Sequence, residues 1–324
     1  MPVSWFPDHR GKVIGFVNGG FGLASTVFSP VQSLLVNPHN VSPVSTNTTN
    51  STGSYFTDPE VLDNVPYLLL YMSAIYAVIL SIGAVLVVEK DPGKVEMVDL
   101  KRKLSESFSF LYQQTFTRLD FYLLWLTRLL FLTIDAGVLT HWKTFSFTQS
   151  DNDKLVTIAG GVSGVANWLS RLRRTFHINC PILIYLLLVA GLMLDRVQFR
   201  VMMSIISLLL TINLASIYFI GQQSFLGLII SVWLVYLLGF AHFSTIPAQT
   251  LSLFPGAHGH VVLGAIGLAE TFSYAGLGVI NLLIMSNETS QTFLVLFLTL
   301  AAFSLLAVPI TAAVSDVKKT ETLS

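Results

Sequence analysis

The sequence predicts an all-α fold, a polytopic bundle of membrane-spanning helices, and three observations carry that prediction. Hydrophobic residues fill 53% of the 324 positions and charged ones only 11%, against roughly 25% charged in soluble domains. Long apolar windows recur along the whole chain, and mean hydropathy is +0.68. The breaks between windows collect turn-forming or charged residues, as segments at a bilayer surface should. Composition also excludes some classes. The 18 Lys and Arg balance 18 Asp and Glu, and no long basic tract is there to neutralise phosphates, so nucleic acid is not a partner. A lone cysteine, Cys180, precludes an internal disulfide and a thiolate metal cage.

A bilayer core of about 30 Å takes about 20 apolar residues per helix. Windows of that kind fall at 13–36, 66–88, 119–140, 155–170, 179–194, 200–220, 224–246, 260–285 and 292–315. Ahead of the first stand Asp8, His9 and Arg10, and no small-residue cleavage site ends it, so it reads as an inserted helix and not a removable leader. Lys90-Asp-Pro-Gly closes the second and the polar run Ser150 to Lys154 the third; the fourth and fifth are followed by Arg171 to Arg174 and Asp195 to Arg200. Gly221-Gln-Gln, Phe254-Pro-Gly-Ala-His and Ser286-Asn-Glu-Thr mark the remaining breaks.

Orientation follows from basic residues and sequons. Lys90, Lys94, Lys101, Arg102, Lys103 and Arg118 crowd the segment after the second window, which places it in the cytosol by the positive-inside rule. The loop 37–65 is rich in Ser, Thr and Asn and carries glycosylation sequons at Asn40, Asn47 and Asn50, so it is expected outside. A fourth sequon stands at Asn287. If only one of the windows 155–170 and 179–194 crosses, Asn287 falls outside and Lys318-Lys319 inside, the arrangement charge bias prefers.

Trp5-Phe-Pro-Asp-His-Arg-Gly-Lys12, running into Gly15, Gly19, Gly20, Gly22 and Pro30, resembles the charged loop and fifth helix of the major facilitator superfamily, in its oxalate/formate antiporter-like and monocarboxylate porter-like branches. Phe240-Ala-His-Phe-Ser-Thr-Ile-Pro247, then Leu253-Phe-Pro-Gly, resembles the tenth helix and the loop after it. The resemblance implies a carrier lacking its first four helices. Residues 1–88 would be a remnant of the amino-terminal bundle (helices five and six), 89–118 the cytosolic linker between halves, 119–315 the carboxyl-terminal six-helix bundle, and 316–324 a cytosolic tail. About eight helices would span, with one extra apolar segment. The family's eighth helix usually reads Asn-Gly-x-Gly-Arg and soon after Gly-x-Leu-x-Asp-Arg. Here Asn167-Trp-Leu-Ser-Arg171 and Gly191-Leu-Met-Leu-Asp195-Arg196 stand about fifteen residues too far apart, which suggests an insertion near 173–188; a re-entrant or interfacial segment is the other reading.

Ionisable groups in apolar spans cost several kcal/mol unless paired or solvated, so they are the first functional candidates. By the resemblance Arg171 and Asn167 fall where relatives meet the substrate carboxylate, a task that suits a guanidinium's planar fork; a positive-inside anchor is the plainer reading of Arg171. Glu270 stands near a point where oxalate exchangers carry a basic residue, and would serve as a proton-coupling site or pair structurally with a cation. Asp135 would couple protons or pair with Arg128 or Arg171. His242 is a substrate or proton candidate, or a hydrogen-bonded core histidine. Gly191, Asp195 and Arg196 resemble the superfamily's cytosolic gating motif. His258 and His260 alone are too few to hold a metal. Gly15 with Gly19, and Gly160 with Gly164, have the spacing of close helix packing.

The function expected is secondary transport of small organic anions, monocarboxylate-like, by alternating access and with proton symport favoured over dianion exchange. The alternative is a truncated, non-transporting membrane scaffold or regulatory fragment. Neither an enzyme nor a cofactor is expected. The partners implied are a small organic anion and the lipid bilayer, with an accessory membrane protein left open, and the plasma membrane is the expected location.

Overall fold

A computed structural model describes residues 10–48, 51–86, 115–150, 152–172, 198–254, 259–284 and 289–315. Helix α1 (Arg10–Val36) leads to a hairpin of β1 (Val44–Thr48) and β2 (Ser51–Tyr55) and then α2 (Pro59–Leu86). There follow α3 (Leu119–Ser146), α4 (Asp153–Leu172), α5 (Phe199–Gln223) and α6 (Phe225–Leu238), which passes through a 3₁₀ turn (Gly239–Ala241) into α7 (His242–Leu253). Helices α8 (Gly259–Gly267), α9 (Ala269–Ile284) and α10 (Ser290–Ala313) complete the described chain. Seven helical stretches among the described residues are long and apolar enough to cross a bilayer. They make this an integral, multi-pass membrane protein. Helix α4, 20 residues long, is more polar; it packs between α1 and α6 and leaves Leu155, Ile158 and Val162 exposed.

Among the described residues the hairpin is the one departure from an all-helical architecture. It pairs Val44 with Tyr55 and Thr48 with Ser51 in the loop that the sequence shows only as Ser/Thr/Asn-rich. Its β-branched threonines suit an extended strand.

Helix α3 is the axis of the bundle. Residues 130 to 138 are buried without interruption, so every face of the helix is covered there, as at the centre of a bundle. Leu124, Phe131, Ile134 and Phe145 pack there with Leu210, Leu214, Phe297 and Leu300. Helices α5 and α10 run antiparallel: the Ser304 hydroxyl donates to the Ser207 carbonyl (2.9 Å), and Tyr218 and Ser290 share a hydroxyl hydrogen bond of 2.6 Å at the other end. Helix α2, by contrast, buries only Val61 and Met72, and turns Leu69, Leu70, Leu80 and Leu86 outward toward lipid.

Helices α1 and α4 meet backbone to backbone. A Cβ added at Gly22 would stand 2.7 Å from the Trp168 backbone nitrogen, and one at Gly164 would collide with the Ser25 and Thr26 hydroxyls. Thr26 donates to the Gly161 carbonyl at 2.7 Å. The close approach therefore falls at Gly22, Gly161 and Gly164, while Gly160 faces Trp142 of α3.

Polar contacts gather at two opposite ends. At one, the buried Asp153 carboxylate pairs with Lys143 (2.9 Å) and accepts from Ser33 (3.1 Å) and Asn37 (3.3 Å), tying α1, α3 and α4. Asn40, at positive φ (57°), accepts from the Lys154 backbone N–H (2.8 Å) and donates to Asn152 (3.2 Å), so this sequon's amide is already engaged. At the other end Arg118 donates to the Leu253 carbonyl (3.0 Å), and the Ser315 N–H donates to Asp120 (2.9 Å). Helix α4 begins at the first end. Helix α5 arrives there at Gln223, so the end of α4 and the start of α5 share the second face. That is the parity expected if one window crosses. The proposed insertion near 173–188 itself, most of the linker 89–118 and the tail 316–324 lie outside the described residues.

Candidate functional site

Near the middle of the bundle, α3 carries Asp135 inside its most buried stretch and the half-buried Arg128 two residues ahead of that stretch. Seven residues separate Arg128 from Asp135, which puts them on one face about 10 Å apart along the axis, on either side of the midpoint of a 28-residue helix. Asp135 is 4% exposed. Its carboxylate lies against the 3₁₀ turn, where a Cβ on Gly239 would overlap Asp135 Oδ1. Only glycine lets the backbone approach this closely.

That turn is where the α6 to α7 span changes its winding, and Pro247, inside α7, cannot supply an N–H to continue the ladder. The interruption brings His242, fully buried, over the acid: Nδ1 lies 2.8 Å from the Gly239 carbonyl and 3.4 Å from Asp135 Oδ2. A buried carboxylate facing an imidazole can exist as an ion pair or, after proton transfer, as two neutral groups. In hydrocarbon both forms are far cheaper than an isolated charge.

Aromatic rings build the wall beside this pair. Tyr236 stacks on Phe240 (5.1 Å between centroids) and Phe240 on Phe243 (5.7 Å). The stack ends on Arg128, whose guanidinium carbon lies 4.4 Å from the Phe243 centroid, a cation–π distance. Glu270, at the start of α9, and Asp135 both act electrostatically on Arg128. Yet the buried Nη1 of Arg128 has no hydrogen-bond acceptor among the described residues. Leaving a buried charged donor unmade costs about 1–3 kcal/mol or more. Further along the seam between α3 and α9, Thr133 and Ser273 share a hydrogen bond (3.2 Å), and His141 Nε2 meets Asn281 Oδ1 (2.8 Å).

The structure thus brings Asp135, His242 and Glu270 into one region, around Arg128. Asn167 is buried, but at the α1 contact beside Gly22. Arg171 lies in the last turn of α4, at the bundle's end and away from its middle, and its side chain is not among those described. Gly191, Asp195 and Arg196 of the gating motif, and the sequons Asn50 and Asn287, lie outside the described residues; Asn47 is in β1. Among the described residues no cluster of His, Cys, Asp and Glu could hold a metal. Sequence reasoning treated Arg128 only as a partner for Asp135. Its position as an ionisable group in an apolar span was the signal that could have marked it. Nothing local announced Phe243 or Gly239, because their roles arise from contacts with α3.

No family model matches this chain. Over 90 residues it is 30% identical to the apicoplast pyruvate carrier 1 of Toxoplasma gondii, an alignment covering 26% of this chain and 16% of that protein. The chain therefore spans well under two thirds of the relative it matches. The chain is thus a multi-pass helical membrane protein with a partial similarity to that pyruvate carrier.

Proposed function

We propose that this protein is a secondary carrier of small monocarboxylates, of the major facilitator type, working by alternating access and coupled to protons. The observation that carries the reading is the group of Arg128, Asp135, His242 and Glu270 at mid-depth in an apolar bundle, Asp135 and His242 buried and Arg128 and Glu270 half-buried beside them. Such charges are expensive in hydrocarbon and serve best where an anion and a proton must pass. The cation supplies affinity for a carboxylate. The Asp135 and His242 pair supplies a place for the proton, and the break between α6 and α7 a place for the helix to bend. Partial similarity to a pyruvate carrier supports the substrate class. The sequon-rich loop 37–65 is the reason to place the carrier at the plasma membrane, which immunolocalisation tests.

Purified full-length chain in liposomes should take up radiolabelled pyruvate or lactate saturably, faster with the interior alkaline, and oxalate poorly. Uptake no greater than in protein-free liposomes for pyruvate, lactate and formate would remove the proposal. A second reading, a non-transporting scaffold, draws on the exposed flank of α2. It would be favoured by a folded protein that binds a membrane partner but moves no anion.

A further inference from the structure

We propose that Arg128 is the residue that holds the substrate's carboxylate, and that Glu270 restricts the site to anions of a single charge; this deepens the carrier reading and rests on it. A guanidinium has donors in its plane and none on its faces. The Phe243 ring centroid lies 4.4 Å from the guanidinium carbon, a contact that consumes none of these donors and leaves them to bind a carboxylate with two parallel hydrogen bonds. The edge nitrogen Nη1 is buried and has no acceptor among the described residues. A buried donor of this kind calls for a partner, and a carboxylate is the partner its geometry fits best.

The surrounding charges set what the carboxylate can be attached to. Asp135 already faces His242 at 3.4 Å, so its charge is balanced within the protein. Glu270 stands two residues before Phe272, whose ring meets Trp125 of α3 at 5.6 Å, so it lies on the same α3/α9 seam as Arg128, and it makes no hydrogen bond to Nη1. With Glu270 ionised these groups already sum to zero, so a bound monocarboxylate leaves one net negative charge at the site and a dianion leaves two. A second carboxylate on the same small molecule would lie near Glu270 in a medium that screens poorly, where like charges repel strongly. Rings of Phe131, Phe240 and Phe243 around His242 and Arg128 suit a short apolar tail. The ligand class is therefore small monocarboxylates, and oxalate is excluded by Glu270.

The test measures equilibrium binding of radiolabelled pyruvate and oxalate to the purified full-length chain, with unfolding temperature as the control for folding. Arg128→Gln should weaken pyruvate binding at least tenfold, Arg128→Lys and Phe243→Leu several-fold, and Glu270→Gln should admit oxalate that the parent protein rejects. A folded Arg128→Gln protein binding pyruvate as tightly as the parent would overturn the assignment. If that variant does not fold, unchanged affinity in both Arg128→Lys and Phe243→Leu overturns it instead. A parent that binds pyruvate but does not transport it, with that binding lost in Arg128→Gln, would sink the carrier reading and leave the site standing. Transport with no dependence on Arg128 would do the reverse.

Discussion

Replacing Gly22 with alanine should separate α1 from α4, and the distances say by how much. The new Cβ would lie 2.7 Å from the Trp168 nitrogen, 2.9 Å from its Cα and 3.1 Å from the Asn167 carbonyl carbon. These are backbone atoms, so no side-chain rotation relieves the crowding. Ordinary contact begins at 3.4 Å, a shortfall of about 0.7 Å. A gap of that size forfeits a quarter to a half of the dispersion energy of the atoms lining the seam. It would also stretch the 2.7 Å bond from Thr26 to the Gly161 carbonyl to about 3.4 Å, the limit of a useful hydrogen bond. Overpacking costs about 1–3 kcal/mol and the weakened bond about 1 more. The assay is disulfide formation between Thr26→Cys and Gly161→Cys with Cys180→Ser. The ideal Cβ at Gly161 lies 3.8 Å from the Thr26 Cα, within bridging reach. Gly22→Ala should slow the crosslink in membranes several-fold, and Gly22→Leu should abolish it. Crosslinking of Gly22→Leu at the parent rate would refute the packing.

Two further changes test the polar contacts. Asp153→Ala removes the acceptor shared by Lys143, Ser33 and Asn37 and should destabilise the protein by about 2–4 kcal/mol, seen as a lower unfolding temperature in detergent; Lys143→Met should cost less, because the lysine is 42% exposed. Gly239→Ala drives its methyl into the Asp135 carboxylate, so it should lower stability by about 1–3 kcal/mol and reduce proton-driven pyruvate uptake more than pyruvate binding. Unchanged uptake would detach the Asp135 and His242 pair from coupling.

Helix positions were legible in the sequence because a bilayer imposes one length on every span. The window 119–140 became α3 and 200–220 became α5, each extended by a few residues of polar helix end. The charge argument for one crossing between 155 and 194 agrees with the faces on which α4 ends and α5 begins. Contacts between helices were less legible. Small residues at spacing four pointed to Gly160 and Gly164, and Gly164 does meet α1, whereas nothing in that spacing marked Gly22, whose closeness to the Trp168 backbone depends on which face of α1 meets α4. Arg128 looked like a counter-ion to Asp135 until the α6 to α7 break placed His242 against that acid and Phe243 beneath the guanidinium. A hydrogen-bonded hairpin in 44–55 was hidden by composition that fits loop and strand alike.

The shared face of the α4 and α5 ends has a practical side. Because α1 finishes beside Asp153 and α10 finishes beside Asp120, Arg10 and Ala313 open into the same compartment. Fluorescent halves fused beyond both of them would reassemble within a single molecule and glow there, whereas a protease admitted only across the membrane would reach the 44–55 ribbon and spare the signal.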